Sequence, residues 1–304
     1  FTKKMGNYFY NRELGDDKDY CIYIDTDSVF YSAVPLVEKR FPNEKLSDVM
    51  MSKKILDIAS EVQTFLNNSY NYFAKRFNRI DEHHYEIKQE VIAKSGLFIT
   101  KKRYGMKIIN DAGVKVNKVH VKGLDTVRSS FAIAMKELLS SVLEDILADV
   151  PKEKIDERIV NFRNSMELMD FDRISSPVGV KNISKYISPS DGMFTDFKKG
   201  APVHVKAAIN HNDLLKYYKQ DKKYEFIKNG SKIKWVYLKE NNLGMDVLAY
   251  KGYEDPPEII KFIKENIHHK KIYDQALYKK IMMFYQAMNW DEPTLKKDTI
   301  ERFF

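Results

Sequence analysis

Two short runs of β-branched and aromatic residues, Tyr20 to Ile24 and Val29 to Val34, flank the tetrapeptide Asp25-Thr26-Asp27-Ser28. Strand formers on either side of a polar turn sequence restrict this stretch to a tight antiparallel hairpin, with two carboxylates at its tip. A hairpin tip projects an aspartate rigidly out of a sheet, and aspartate oxygens are ligands that Mg²⁺ accepts while it also holds phosphate oxygens and water. An Asx turn with solvated acids uses the same residues and remains the plain alternative.

The pattern around the hairpin predicts an α+β chain. Residues 1 to 13 read as a helix end, closed by the turn chemistry of Gly15-Asp16-Asp17. From Ser47 to about Phe77, Val49, Ile55, Leu56, Ile58, Ala59, Val62, Phe65 and Leu66 recur at helical spacing. Tyr85 and Ile87, then Val91 to Ile99, Lys101 to Ile109 and Val114 to Val121 read as strands of an antiparallel meander, with a turn at Asn110-Asp111-Ala112-Gly113. Beyond Gly123, Asp125 or Thr126 is expected to cap a helix with an apolar face from Val127 and Phe131 to Leu147. A further helix is expected over 152 to 170 and loops over 175 to 205. A helix over 206 to 219, a β patch over Ile233 to Leu238, helices from Pro257 to His269 and Asp274 to Asn289, and a polar tail complete the reading.

Charge and cysteine content narrow the function. Fifty-one basic against 43 acidic residues leave +8, and the excess is concentrated. Between Lys94 and Arg128, nine Lys and Arg face only Asp111 and Asp125, a local excess of +7. A second lysine-rich stretch, Lys216 to Lys239, is interleaved with aromatics; tracking of a phosphate backbone and a solvated lysine surface both fit it. A single cysteine, Cys21, excludes a disulfide framework or a cysteine-based zinc site within the chain. No stretch approaches 18 consecutive apolar residues, so no membrane partner is expected. The histidine pairs His83-His84 and His268-His269 lack partners at ligand spacing and read as surface residues.

Two further motifs follow the hairpin. Lys101-Lys102-Arg103-Tyr104 falls on an expected strand, where alternation would put Lys102 and Tyr104 on one face. Lys122-Gly123-Leu124-Asp125-Thr126-Val127-Arg128-Ser129-Ser130 lies at the expected strand-to-helix junction.

In this order and spacing, the three motifs resemble the C-terminal portion of family B DNA polymerases, with Ile24 standing where that family usually has glycine. The resemblance is closest to polymerases of T4-like bacteriophages. Ser129-Ser130 replaces the Arg-Asp of cellular enzymes, and Asn182 to Tyr186 followed by Pro202 to Lys206 is similar to the phage thumb pattern. It implies the end of a palm over residues 1–123, a mostly helical thumb over 124–290 and a tail over 291–304. Asp25 and Asp27 would be the catalytic carboxylates of a two-Mg²⁺ site, Asp27 more directly, with Glu90 or its neighbour Glu86 as an accessory acid. Lys101, Lys102, Arg103, Tyr104 and Lys122 would touch primer-template DNA. Arg128, Ser129 and Ser130, at the first turn of the thumb helix, would meet duplex phosphates. Ile300, Phe303 and Phe304 would form a clamp-docking plug, apolar residues three and four apart on one helical turn.

The same resemblance shows what is missing. No second metal-binding aspartate and no fingers helix for the incoming dNTP precede Asp25, and there is no room for an exonuclease domain. The chain, which opens on Phe1 rather than methionine, is therefore expected to be a piece of something longer. It would work with an N-terminal half carrying exonuclease, fingers and the rest of the palm, and with a sliding clamp, in the cytoplasm of an infected bacterial host. A non-catalytic DNA-binding subunit derived from a polymerase is the alternative.

Overall fold

The computed structural model describes residues 1–42, 44, 46–188, 190, 192–194 and 196–294, and the chain divides into two compact units, Phe1–Gly123 and Leu124–Phe304. The α+β class holds.

In the first unit, α1 (Thr2–Leu14) ends at Gly15, whose φ of 75° lets its N–H reach the Asn11 carbonyl at 2.8 Å. β1 (Cys21–Ile24) and β2 (Val29–Tyr31) form the expected hairpin. Its second strand stops before Val34, because Val34-Pro35 opens α2 (Val34–Arg40), where a proline at the helix start costs no hydrogen bond. α3 (Asp48–Phe73) is capped by Ser47, whose hydroxyl accepts the Met50 N–H, and runs on into a π turn, Ala74–Asn78. The apolar stripe Ile58, Val62 and Leu66 of α3 buries against Phe9 and Tyr10 of α1 and Leu36 and Val37 of α2. Arg40 ties the same three helices by hydrogen-bonding Glu13 and Glu61. That fork holds the Glu13 carboxyl below the usual carboxylate range.

The strand expected around Tyr85 and Ile87 is absent. Its backbone is satisfied by amide side chains of α3 instead: Asn67 accepts the Ile87 N–H at 2.8 Å and donates to the Ile87 carbonyl at 3.1 Å, and Gln63 accepts the Gln89 N–H at 2.7 Å. The meander itself is present as β3 (Val91–Thr100), β4 (Arg103–Asp111) and β5 (Val114–Lys122), all antiparallel. Lys101 and Lys102 are not strand residues. Thr100 pairs with Arg103, so the two lysines form the connecting turn, with Lys102 at φ 60°.

In the second unit, Asp125–Val127 makes only a 3₁₀ turn, and the helix, α4 (Ile133–Leu147), begins later than expected. Burial of Phe131 and Ala132 draws the chain into an extended approach, and Arg128, Ser129 and Ser130 lie exposed before the helix rather than in its first turn. α5 (Lys152–Ser165) packs beside α4. α6 (Phe171–Ile174) follows, and the region expected to be loops, 175 to 205, contains β6 (Ser176–Gly179) and α7 (Ile183–Tyr186) before α8 (Val203–Tyr217). Pro177 and Gly179 argue against a strand by composition, but β6 is the edge of a sheet ordered β6, β7 (Lys232–Tyr237), β8 (Val247–Tyr250), where proline is tolerated. α8 lays Val205, Ala207 and Ala208 on Ile233, Val247 and Ala249 of that sheet. Its buried polar residues bond the covered strand: Asn210 donates to the Val247 carbonyl at 2.8 Å and His211 Nδ1 to the Ala249 carbonyl at 2.9 Å. Burial holds the His211 imidazole down to about 4, so it is neutral there. The last helical elements among the described residues are α9 (Pro257–Asn266), α10 (His269–Ile272), a π turn Tyr273–Tyr278 and α11 (Lys279–Ala287), more broken than the two helices expected.

Candidate metal and nucleic-acid site

The hairpin tip is closed by its own backbone, Asp25 N–H to Ser28 carbonyl at 2.9 Å. The Asp25 carboxylate turns back into the unit: Oδ1 accepts the Thr26 N–H at 2.8 Å and lies 3.6 Å from Lys102 Nζ, while Oδ2 lies 3.3 Å from Lys122 Nζ. Its side chain is only 3% exposed. The Thr26 N–H first, then the Lys122 and Lys102 ammoniums, hold this carboxyl below the usual aspartate range, so it stays ionised, and Asp25 in turn raises Lys122. Asp27, two residues on, is exposed and has no ion-pair partner among the described residues. The two acids therefore differ: Asp25 is neutralised in place, and Asp27 presents free oxygens.

Aromatic packing brings the lysines to the tip. Tyr23 of β1 lies against Phe98 and Tyr104, with centroids 5.4 and 5.3 Å away, and Phe30 of β2 meets the same pair. The Tyr23 hydroxyl accepts the Lys102 N–H at 2.8 Å, fixing the β3–β4 turn beneath the hairpin. On the other side of that turn sits Gly123, at φ 69°, where a Cβ would collide with the Lys102 carbonyl oxygen, and Arg103 Nε donates to the Gly123 carbonyl at 3.3 Å. Tyr104 pairs with Lys122 across β4 and β5, which sets the second ammonium beside the first.

The expected site residues separate into groups. Asp25, Asp27, Lys101, Lys102, Arg103 and Lys122 gather at one end of the meander. Tyr104 is there too, but its ring is 4% exposed, so it shares no outward face with Lys102; the left-handed turn at Lys102 breaks the alternation that the pairing needed. Glu90 precedes β3 at the opposite end, where Val91 pairs with Asp111, and nine residues of strand, about 30 Å, separate that end from Thr100. Glu86 pairs with Lys88. Neither glutamate joins the hairpin acids. In the second unit Arg128 is exposed and paired with the buried Asp125 at 3.0 Å, which Lys280 also reaches at 3.0 Å. Ile300, Phe303 and Phe304 lie outside the described residues. Tyr23 and Gly123 carry positioning roles that sequence reasoning missed as such; the signal was only their place within the two motifs.

Two hard carboxylates at a tip suit Mg²⁺ chemically, but one is already held by two ammoniums. Among the described residues no group of three or more Asp, Glu, His or Cys could hold a metal. The described residues thus offer Asp27, with Asp25 beside it, as no more than part of a Mg²⁺ ligand set. No helix among the described residues is long and apolar enough to cross a membrane.

Comparison with known proteins agrees with the motifs. The chain is 25% identical over 232 residues to the DNA polymerase alpha catalytic subunit of Xenopus laevis, which covers 75% of this chain and 13% of that protein. The match is thus to a small part of a much longer polypeptide. Residues 14–288 match the model of DNA polymerase family B, and by that match over most of its length the chain belongs to this family.

Proposed function

We propose that the chain is the C-terminal part of a DNA-directed DNA polymerase, similar to those of T4-like phages. It supplies the last part of the palm (1–123) and the thumb (124–290) to an enzyme completed by an N-terminal part with exonuclease, fingers and the other palm carboxylate. The observation that carries this reading is the asymmetry of the hairpin acids: Asp25 locked by Lys102 and Lys122, Asp27 exposed beside it. Magnesium, when bound, supplies activation of the primer 3′-hydroxyl and neutralisation of the departing pyrophosphate of the dNTP. Asp27 offers the oxygen ligands from this chain. Asp25 and its lysines keep the tip rigid and set positive charge where DNA phosphates approach, and Arg128, Ser129 and Ser130 meet the duplex from the second unit. The C-terminal residues Ile300, Phe303 and Phe304 dock a sliding clamp.

The test is primer extension. The chain alone is expected to be inactive and to gain activity when combined with the N-terminal part of such a polymerase. Asp27→Asn in the assembled enzyme is expected to abolish incorporation with primer-template binding retained, and deletion of Ile300 to Phe304 to remove only the stimulation by clamp. Equal incorporation by wild type and Asp27→Asn would refute the metal role and leave the DNA-binding subunit as the reading.

A further inference from the structure

Away from the hairpin tip, the start of α1 and the end of α3 carry a connected group of rings. Phe1, Phe73, Phe77 and Tyr85 link at centroid distances of 4.7 Å (Phe1 to Phe73), 5.4 Å (Phe73 to Phe77) and 5.9 Å (Phe73 to Tyr85), and Tyr72 meets Phe77 edge-on at 6.4 Å. These rings are only partly covered. Tyr72 and Phe77 are 61% and 62% exposed, an unusual amount of aromatic surface to leave in water. Cations are interleaved with them: Lys75 and Arg76 in the π turn, Arg79 just beyond it at φ 56°, and Lys4 one helical turn from Phe1. All four are exposed and, among the described residues, none has a carboxylate partner. Asp81 and Glu82 follow, so four cations stand against two acids.

Exposed rings alternating with unpaired cations are the mix that holds an unpaired nucleic-acid strand, because every base has a face to stack and every nucleotide a phosphate. A protein-binding core favours aromatics and arginine but is depleted in lysine, and Lys4 and Lys75 stand exposed among these rings. We propose that this face binds single-stranded DNA, with bases stacking on Tyr72 and Phe77 and the backbone following Lys75, Arg76, Arg79 and Lys4. It goes beyond the duplex-binding and metal roles assigned above. Tyr31, at the end of β2 away from the tip, bonds the Thr2 and Lys3 carbonyls, which puts the start of α1 behind the hairpin rather than at Asp27.

The test uses the 304-residue chain and two fluorescent probes read by anisotropy: an oligothymidylate of about 16 nucleotides and a blunt hairpin duplex. Tyr72→Ala combined with Phe77→Ala is expected to weaken oligothymidylate binding at least about tenfold while duplex binding stays within about twofold, and Tyr72→Phe to retain affinity because the ring remains. A triple Lys75→Ala, Arg76→Ala, Arg79→Ala variant keeps the rings and guards against misfolding of the first; its salt dependence for the oligothymidylate should fall by about 2, at roughly 0.7 per phosphate contact. Unchanged oligothymidylate affinity in both variants overturns the proposal. So does parallel loss of both probes, or self-association of the wild-type chain that ring removal abolishes without changing DNA affinity, which would make the face a protein contact. None of these readings requires catalysis, so failure of the polymerase assignment would show separately, in primer extension.

Discussion

Lys122 Nζ lies 3.3 Å from Asp25 Oδ2, across 97 residues of chain, and this pair joins the end of the meander to the tip of the hairpin. Lys102 approaches the other carboxylate oxygen, so a single aspartate records whether the hairpin and the sheet are docked.

The Asp25 carboxyl should therefore titrate below the usual aspartate value. A depressed folded value means that its contribution to stability is present above the unfolded pKa and is lost as pH falls through the folded one. Combined Lys102→Ala and Lys122→Ala should move the titration up towards the ordinary value without reaching it, because the Thr26 N–H bond remains. Carboxyl NMR titration reads this directly; an unmoved Asp25 signal would show that the lysines do not hold it.

Gly123 and Gly15 both have left-handed backbones, at φ 69° and 75°, but only Gly123 is crowded. Gly15→Ala should cost about 1 kcal/mol of conformational strain. Gly123→Ala adds a collision with the Lys102 carbonyl, a backbone atom that cannot swing aside, and should cost on the order of 3 kcal/mol. Urea midpoints by circular dichroism compare the two, and equal losses would show that the Lys102 turn yields freely.

His211 sits buried and neutral at about 4, below its unfolded value near 6.5. Unfolded chains bind the proton first, so stability of the second unit should be full above about pH 6.5 and fall by about 3 kcal/mol as pH drops towards 4. His211→Gln, whose amide can still donate to the Ala249 carbonyl, should flatten that part of the profile. An unaltered slope in the variant would assign the acid sensitivity to other groups.

Lys102 and Arg128 project exposed cations, one in each unit. Replacing either by alanine should weaken duplex DNA binding with little sequence preference and reduce the salt slope by about 0.9. A slope equal to wild type would place that residue off the DNA.

Elements specified by local pattern were legible in the residues alone. The stop of α1 at Gly15, the stripe of α3 and the Asp25 to Ser28 turn depend on side chains within a few positions of one another, and each strand of the antiparallel meander is marked by its own run of strand formers. Where a backbone takes its hydrogen-bond partner from helix side chains, or from a strand that its own composition does not announce, the pattern misled. The Tyr85 to Gln89 stretch carries strand-like residues but bonds Asn67 and Gln63 of α3, and β6 forms despite its proline because it needs only one neighbour.

The site divides in the same way. Sequence by itself determined the family-level motifs, the two tip acids and the basic excess around them, since residue identity and spacing are properties of the chain. Only tertiary structure decided their states. Tyr23 stacking on Phe98 and Tyr104, with its hydroxyl on the Lys102 N–H, is what brings two ammoniums to Asp25, leaves Asp27 free and strands Glu90 at the far end of the sheet. Coulombic and hydrogen-bond interactions depend on ångströms of separation in space, and a linear spacing of 97 residues carries no such information until packing closes it.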